Sequence, residues 1–219
     1  MSGLSELWAL LLPATGETLL MVATSTVLSC ALGLPVGVFL VATASGGLKP
    51  MPLANRLVGG LVNVTRSIPF IILMVAIVPL TRLLVQTSIG TRAAMVPLVV
   101  AAIPYVARLV EGALKEIPGG ITEALVAMGA TPLQLIRRAW LPEALPALVR
   151  GATLTAISLV SYSAMAGAVG GGGLGDLAVR YGYQRMRTDV MVATVVVLLV
   201  LVQSLQFAGD RLARRLDHR

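Results

Sequence analysis

Five long apolar runs constrain the fold of this chain more than any other feature. A run of about 20 predominantly apolar residues is long enough to cross the hydrocarbon core of a bilayer as a helix. The chain has such runs at residues 16–42, 58–80, 93–114, 146–169 and 189–209. Only 12% of its residues are charged, about half of the roughly 25% of a soluble domain. We therefore predict an all-α membrane protein with five transmembrane helices.

The distribution of basic residues predicts the orientation of these spans. No Lys or Arg precedes Lys49, whereas the tail at 210–219 is rich in arginine and also holds His218, which we expect to be solvated. Cytoplasmic loops carry an excess of Lys and Arg, so we expect the N-terminus outside and the C-terminus in the cytoplasm. The predicted outer loops also contain five arginines, which weaken the bias: Arg82, Arg92, Arg180, Arg185 and Arg187. The net charge of +7 lies at span ends, so it indicates orientation in a bilayer rather than nucleic-acid binding.

The glycine-rich stretch GAVGGGGLGD at 167–176 matches the pattern G-x-G-x-x-G of dinucleotide-binding proteins. That fingerprint requires a preceding strand and an acidic residue about 20 positions further on. Here a predicted membrane helix precedes it, and Asp189 follows the last glycine of the pattern by only about 14 residues. We therefore reject the nucleotide site. Four consecutive glycines are predicted to unwind the outer end of span four as a hinge: Gly170, Gly171, Gly172 and Gly173.

The cytoplasmic segment between spans three and four, roughly 115–145, is predicted to form a helical hairpin. Pro118-Gly119-Gly120 ends span three, Gly129 allows a chain reversal, and Thr131-Pro132 is typical of a helix start. Leu141-Pro142 is expected to stop the second helix. Each short helix has a predicted apolar face, formed by Ile121, Ala124, Leu125 and Met128 in the first and by Leu133, Ile136 and Trp140 in the second. Such a hairpin suits the lipid surface and a soluble partner equally well.

Span four carries a mildly polar stripe at the spacing i, i+3, i+4, i+7, formed by Ser158, Ser161, Tyr162 and Met165. Hydroxyl groups can hydrate a translocation pathway, and a methionine can close it flexibly. Small polar residues also hold membrane helices together. Spacing alone favours this packing role.

The ionisable residues and the single cysteine predict neither a catalytic site nor a metal site. Arg108, Glu111 and Lys115 share a helix face, which favours an ion-paired cluster over a proton relay. Arg66 lies where it could brace the hairpin, with no partner assigned. The single cysteine, Cys30, excludes an intrachain disulfide and is interpreted as a buried helical residue. No metal site is predicted.

The hairpin also resembles the loop signature of bacterial ABC-importer permeases. Glu123-Ala124-Leu125, Gly129 and Leu141-Pro142 have the matching spacing, with apolar departures at Leu125 and Ala139. The stretches at 63–73, 81–98 and 161–185 are similar to permeases of methionine importers. The resemblance covers most of the chain and defines a permease domain at 13–209, followed by the basic tail at 210–219.

This resemblance implies a type I ABC importer fold and transport of methionine, in its L form and by extension its D form. It implies that the hairpin supplies coupling helices to a cytoplasmic ATPase dimer through Glu123, Ala124, Met128, Gly129, Ala130, Leu141 and Pro142. It also implies a second copy of the chain and an extracytoplasmic methionine-binding protein. ATP and Mg²⁺ would bind the ATPase, since this chain has no phosphate loop, is expected to hold no cofactor and is not an enzyme. The resemblance places the span-four stripe on the pathway as readily as in packing.

Two other functions fit the sequence less well. The same machinery could carry another amino acid, which the loop signature does not exclude. An independent channel or secondary carrier would need intramembrane charges or inverted repeats, and neither is clear in the sequence.

Overall fold

The computed structural model describes residues 2–217, with side chains from residue 5 onward. Within this range all regular secondary structure is helical, and there is no β-strand. The helices are α1 (Ser2–Thr43), α2 (Pro52–Ser67), α3 (Phe70–Ala76), α4 (Val78–Val85), α5 (Thr91–Lys115), α6 (Gly119–Ala127), α7 (Pro132–Leu135), α8 (Leu141–Ala166), α9 (Gly173–Leu177) and α10 (Thr188–Leu216). The predicted all-α class is confirmed. The basic tail continues α10 as far as Leu216, and His218 lies outside the described residues.

In the described part of the chain, four helical stretches are long and apolar enough to cross a membrane: Ser5–Thr43, Thr91–Lys115, Pro132–Gly171 and Thr188–Leu216. A fifth span exists if α2 and α3, which meet at an angle of 105°, cross together. The prediction of one continuous helix over 58–80 is therefore wrong. Pro69 lacks an amide hydrogen and disfavours helical geometry at the preceding residue, and Ile68 is extended with φ −80° and ψ 124°.

The first helix is longer than predicted, because α1 begins at Ser2 rather than near residue 16 and contains Pro13 and Pro35. It packs closely along α5 by means of two glycines. A Cβ atom on Gly33 would lie 2.7 Å from the Val106 Cβ atom, and one on Gly37 would lie 2.6 Å from the Ala107 carbonyl oxygen. Small residues at such positions let membrane helices approach each other.

The interior lies between α1, α5 and α8. Met21, Leu98 and Leu159, one from each helix, are fully buried in the same apolar cluster. A second cluster surrounds Trp140 and joins the C-terminal half of α5 to the predicted hairpin.

Leu141-Pro142 does not end the second hairpin helix, contrary to prediction. The chain stays helical from Pro132 to Gly171, and Leu141 has helical angles of φ −67° and ψ −44°. Residues Ile136–Trp140 form a π-helical turn in which the Leu141 amide donates to the Ile136 carbonyl oxygen. This wider turn relieves the clash that a proline ring makes with the preceding turn, so the helix passes directly into span four.

Candidate coupling surface and transport pathway

The turn of the hairpin has the predicted geometry. Gly129 has φ +79°, and the Ala130 amide donates to the Leu125 carbonyl oxygen at 3.0 Å. Thr131 then caps α7: its hydroxyl accepts from the Gln134 amide at 3.4 Å, while the Gln134 side chain accepts from the Thr131 amide at 2.9 Å. The reversal at Gly129 and the helix start at Thr131-Pro132 are both confirmed.

The predicted apolar faces of the hairpin are only partly correct. Ile121 and Leu125 pack against the cluster around Trp140, whose indole Nε1 donates to the Thr122 hydroxyl at 3.1 Å. Leu133 is exposed instead of packed, and the buried leucine of this helix is Leu135, which the sequence analysis missed. Leu135 and Ala139 are four residues apart and face inward together, whereas Leu133, two residues before Leu135, lies on the opposite side of α7.

The outer side of the hairpin presents apolar side chains. Val126, Met128 and Leu133 are 54%, 73% and 57% exposed. Beside them lies an open depression of about 360 Å³, lined by Met128, Gly129, Gln134 and other residues of the hairpin. Exposed apolar side chains in such a place are available for contact with lipid or with a protein partner.

The structure gathers most of the predicted coupling residues on this surface. Glu123, Ala124, Met128 and Gly129 are exposed, and Ala130 is half-buried at the turn. Leu141 and Pro142 do not belong to the turn, since they lie further along the continuous helix that enters span four.

The predicted ion-paired cluster near the C-terminal end of α5 is confirmed. Glu111 pairs with Arg108 at 2.5 Å and with Lys115 at 2.7 Å. Arg108 also donates to the Asn63 side-chain oxygen at 2.8 Å and to the Gly59 carbonyl oxygen at 3.0 Å. The cluster therefore ties α5 to α2.

Arg66 does not brace the hairpin in this structure. It lies in the last turn of α2, and among residues 5–217 no ion pair or side-chain hydrogen bond joins it to the hairpin.

The predicted polar stripe of span four divides into two environments. Ser161 and Met165, the latter 48% exposed, line an open groove of about 600 Å³ between α8 and α10. Tyr162 instead stacks on Phe70 of α3, with ring centroids 4.8 Å apart. Ser158 donates its hydroxyl to the Leu154 carbonyl oxygen within the helix at 2.9 Å. Only part of the stripe is thus free to contact a solute or another helix.

The glycine stretch forms a tight turn at the other end of span four. A π-helical turn at Gly167–Gly171 loses helical geometry at Val169 and Gly170, and Gly170, Gly172 and Gly173 have φ of +91°, +79° and +74°. Glycine adopts such angles readily because it has no Cβ atom. The chain then enters α9, so the turn redirects span four back across the same end of the molecule.

Two residues of α1 hold this turn, and the sequence analysis missed both. The Gly173 amide donates to a Glu17 carboxylate oxygen at 2.6 Å, and the Leu174 amide donates to the Thr18 hydroxyl at 2.9 Å. Glu17 is the only charged residue in the run 16–42. An ionisable residue in a membrane span is a signal of a functional role, and this signal could have identified it.

Two of the arginines in the predicted outer loops, Arg180 and Arg187, form ion pairs. Arg187 pairs with Asp189 at 2.8 Å and with Glu6 at 2.7 Å, and the hydrogen bonds from these two carboxylates raise the pKa of its guanidinium. Arg180 pairs with a carboxylate one turn away, and Arg185 stacks on the Tyr181 ring at 4.3 Å.

Apolar spans, a structured helical hairpin with an exposed apolar side, and a groove between two spans together define a membrane permease component of a transport system. Among the described residues, no group of three His, Cys, Asp or Glu side chains is placed to hold a metal ion.

Comparison with known proteins identifies the family. A family model described as the binding-protein-dependent transport system inner membrane component matches residues 33–219. The chain belongs to this family. It is 57% identical over 211 residues to the probable D-methionine transport system permease protein MetI of Vibrio cholerae, covering 96% of this chain and 93% of that protein. It is also 53% identical over 158 residues to the D-methionine transport system permease protein MetI of Escherichia coli K12, covering 72% and 73%.

Solved structures agree with this assignment. A structure described as an inward-facing conformation of the MetNI methionine ABC transporter matches with a TM-score of 0.94 and 51% identity, over 95% of this chain and 97% of that one. An amino acid ABC transporter crystallised with histidines matches with a TM-score of 0.71 over 93% and 94% of the two chains, at 16% identity, which shows the fold alone. The predicted importer-permease fold is confirmed, and the chain is a transport component rather than an enzyme.

Proposed function

We propose that this chain is the membrane-spanning subunit of an ATP-driven importer that carries methionine across the cytoplasmic membrane by alternating access. The observation that carries the proposal is the 57% identity, over nearly the full length of both chains, to a relative described as a D-methionine permease. We extend the substrate range to L-methionine. The likeness to the amino acid transporter at 16% identity concerns the fold alone and favours no other substrate.

The hairpin surface supports coupling to a cytoplasmic ATPase. A transporter without its own phosphate loop needs a rigid contact through which a partner changes its conformation. The capped turn at Gly129 and the exposed side chains of Val126, Met128 and Leu133 provide such a contact. Glu123, Ala124, Met128, Gly129 and Ala130 make the contact in this proposal, and Leu141 and Pro142 transmit it along the continuous helix into span four.

The proposed assembly has two copies of this chain and two ATPase subunits, which bind ATP and Mg²⁺, together with an extracytoplasmic binding protein that delivers methionine. One copy has too few helices to enclose a pathway, and its groove between α8 and α10 is open. A second copy related by a twofold axis would close that groove. The N-terminus lies outside and the C-terminus lies in the cytoplasm.

Span four forms the pathway wall in this proposal, with Ser158, Ser161 and Tyr162 along it and Met165 as its flexible gate. The glycines at 170–173 are the hinge beside the mouth. Met165→Ala is expected to raise passive leak or to reduce coupled uptake, because the exposed thioether side chain is removed. Met51→Ala, a similarly exposed methionine at the start of α2, is the matched control. Unchanged leak and uptake in Met165→Ala would remove the gate from the proposal.

The transport function is tested by uptake into proteoliposomes that contain the chain, its ATPase and its binding protein. Labelled L-methionine and D-methionine are supplied with and without ATP, and other amino acids are added as unlabelled competitors. We expect ATP-dependent uptake of both enantiomers that unlabelled methionine alone suppresses. Uptake without the ATPase would indicate a carrier, and preferential uptake of a different amino acid would refute the substrate assignment.

A further inference from the structure

The last two turns of α10 carry three arginines without an ion-pair partner in the described part of the chain. Arg211, Arg214 and Arg215 are exposed. None of the ion pairs among residues 5–217 includes any of them. The planar guanidinium of arginine is always charged and suits phosphate and carboxylate groups. These three side chains are therefore available to an anionic partner.

The three arginines share one face of α10 with exposed apolar side chains. Val196, Val200 and Phe207 are each more than half exposed. They precede Arg211 at successive intervals of four, seven and four residues, and such intervals keep side chains on one face of a helix. These six residues, which we call the α10 stripe, are thus apolar along most of the helix and basic over its last two turns.

The length of α10 puts the arginines at the depth of the lipid headgroups. The helix has 29 residues and is therefore about 43 Å long, whereas the hydrocarbon core of a bilayer is about 30 Å thick. At its other end Asp189 pairs with Arg187, and such charges suit the membrane boundary rather than its core. Roughly the last nine residues of α10 then extend beyond the hydrocarbon. The three arginines lie in this part.

The two carboxylates of the same segment lie to one side of the α10 stripe and bind other side chains. Asp210 accepts from the Gln206 amide nitrogen at 2.9 Å. Asp217 pairs with Arg150 of α8 at 3.0 Å. The second contact also holds the end of α10 against α8, so the arginines project from a helix end that is fixed in place.

We propose that the α10 stripe binds an anionic phospholipid, with an acyl chain along its apolar part and the phosphate at the three arginines. Clusters of basic residues directly beyond a membrane helix attract anionic lipids. The inference rests on the proposed function, because it takes this end of α10 as the cytoplasmic one. The second copy proposed to close the groove between α8 and α10 would contact a different face of the helix, which carries Val195, Leu198 and Val202. The lipid and the second copy therefore do not compete.

The test measures lipid binding by the purified complex of this chain with its ATPase, stripped of native lipid in detergent. Dioleoyl phosphatidylglycerol and dioleoyl phosphatidylcholine, which have the same acyl chains, are titrated separately, and bound lipid is counted by native mass spectrometry. Each basic residue beside an anionic headgroup strengthens binding about fivefold. Replacing all three arginines by glutamine (Arg211→Gln, Arg214→Gln and Arg215→Gln) should therefore weaken phosphatidylglycerol binding by about 100-fold and leave phosphatidylcholine binding unchanged.

Two further variants separate the α10 stripe from net charge and from damage to the fold. The matched control removes three exposed arginines outside the stripe: Arg82→Gln, Arg92→Gln and Arg185→Gln. It should bind phosphatidylglycerol as the wild type does. A lysine variant of the stripe (Arg211→Lys, Arg214→Lys and Arg215→Lys) keeps the charge and should bind nearly as well as the wild type.

Several outcomes would overturn the lipid site. Unchanged binding in the glutamine variant, or an equal loss in the control, would show that the stripe does not hold the lipid. A loss in the lysine variant as large as in the glutamine variant would show that charge is not what binds it. Normal lipid binding with impaired ATPase assembly in the glutamine variant would assign the arginines to a protein contact instead. Methionine uptake by the wild type is measured in parallel, and its absence alongside normal lipid binding would refute the proposed function while the lipid site stands.

Discussion

The clamp between α1 and the glycine turn allows a sharp prediction for Thr18→Val. The Thr18 hydroxyl accepts from the Leu174 amide at 2.9 Å, and the two residues are 1% and 0% exposed. Valine has nearly the shape of threonine, so packing is kept while the acceptor is lost. A buried amide left without a partner costs about 1–3 kcal/mol. The turn should therefore open more often in the variant.

This free-energy cost predicts how much faster the backbone amides of the turn exchange their hydrogens with solvent. Each 1.36 kcal/mol changes an equilibrium about tenfold, so we expect hydrogen exchange in the segment 170–178 to accelerate about 5- to 150-fold. Hydrogen–deuterium exchange with mass spectrometry on the purified complex measures it. Glu17→Ala should act in the same direction on the Gly173 amide, and Glu17→Gln should act less because its amide oxygen still accepts a hydrogen bond.

Thr15→Val is the matched control for Thr18→Val. Thr15 lies one turn earlier in α1 and donates only to the Leu11 carbonyl oxygen of its own helix, at 2.7 Å. Its loss should change exchange in the segment 170–178 by less than about twofold, because such local bonds contribute little to stability. Equal exchange in Thr18→Val and the wild type, with the fold intact, would refute the clamp.

Three further substitutions test the coupling turn, the ion cluster and the helix packing. Gly129→Val should reduce transport-coupled ATPase activity, because the φ of +79° strains a β-branched residue by about 1–2 kcal/mol; normal coupling in a fully assembled complex would count against this. Arg108→Leu leaves the buried carboxylate of Glu111 with one fewer partner and should therefore lower the free energy of unfolding by about 1–3 kcal/mol. An unchanged midpoint of thermal unfolding would contradict this prediction. Gly175→Ala should prevent stable folding, because a Cβ atom there overlaps the backbone of α8. Gly112→Ala is the control and should be neutral, because its Cβ atom meets no atom within 4 Å. Equal yields of folded protein from the two variants would show that the packing around Gly175 is loose.

Much of the fold could be predicted because its signals are local. The apolar runs predicted the membrane helices. Gly129 predicted the position of a turn and Thr131-Pro132 the first residue of a helix, and both positions are correct. Helix caps and turns depend on hydrogen bonds within about four residues. The same local rules also gave one wrong prediction. Leu141-Pro142 was expected to end a helix, but the helix continues past it because of a π-helical turn.

The candidate sites were predicted less completely. The predicted coupling residues around Gly129 gather on one surface. The stripe of span four does not form one face, because Tyr162 stacks on Phe70 of α3. The groove between α8 and α10 could not be derived from spacing along one helix, because both helices line it.

The sequence by itself determined that this chain is a helical membrane protein, because hydrophobicity, proline, glycine and capping residues act over short distances. Its resemblance to importer permeases rested on motifs rather than on these local rules. Only the tertiary structure decided what holds the glycine turn in place. Glu17 and Thr18 meet that turn across 156 residues of chain. Such a contact depends on how α1 packs between its neighbours, and no periodicity within either segment encodes it.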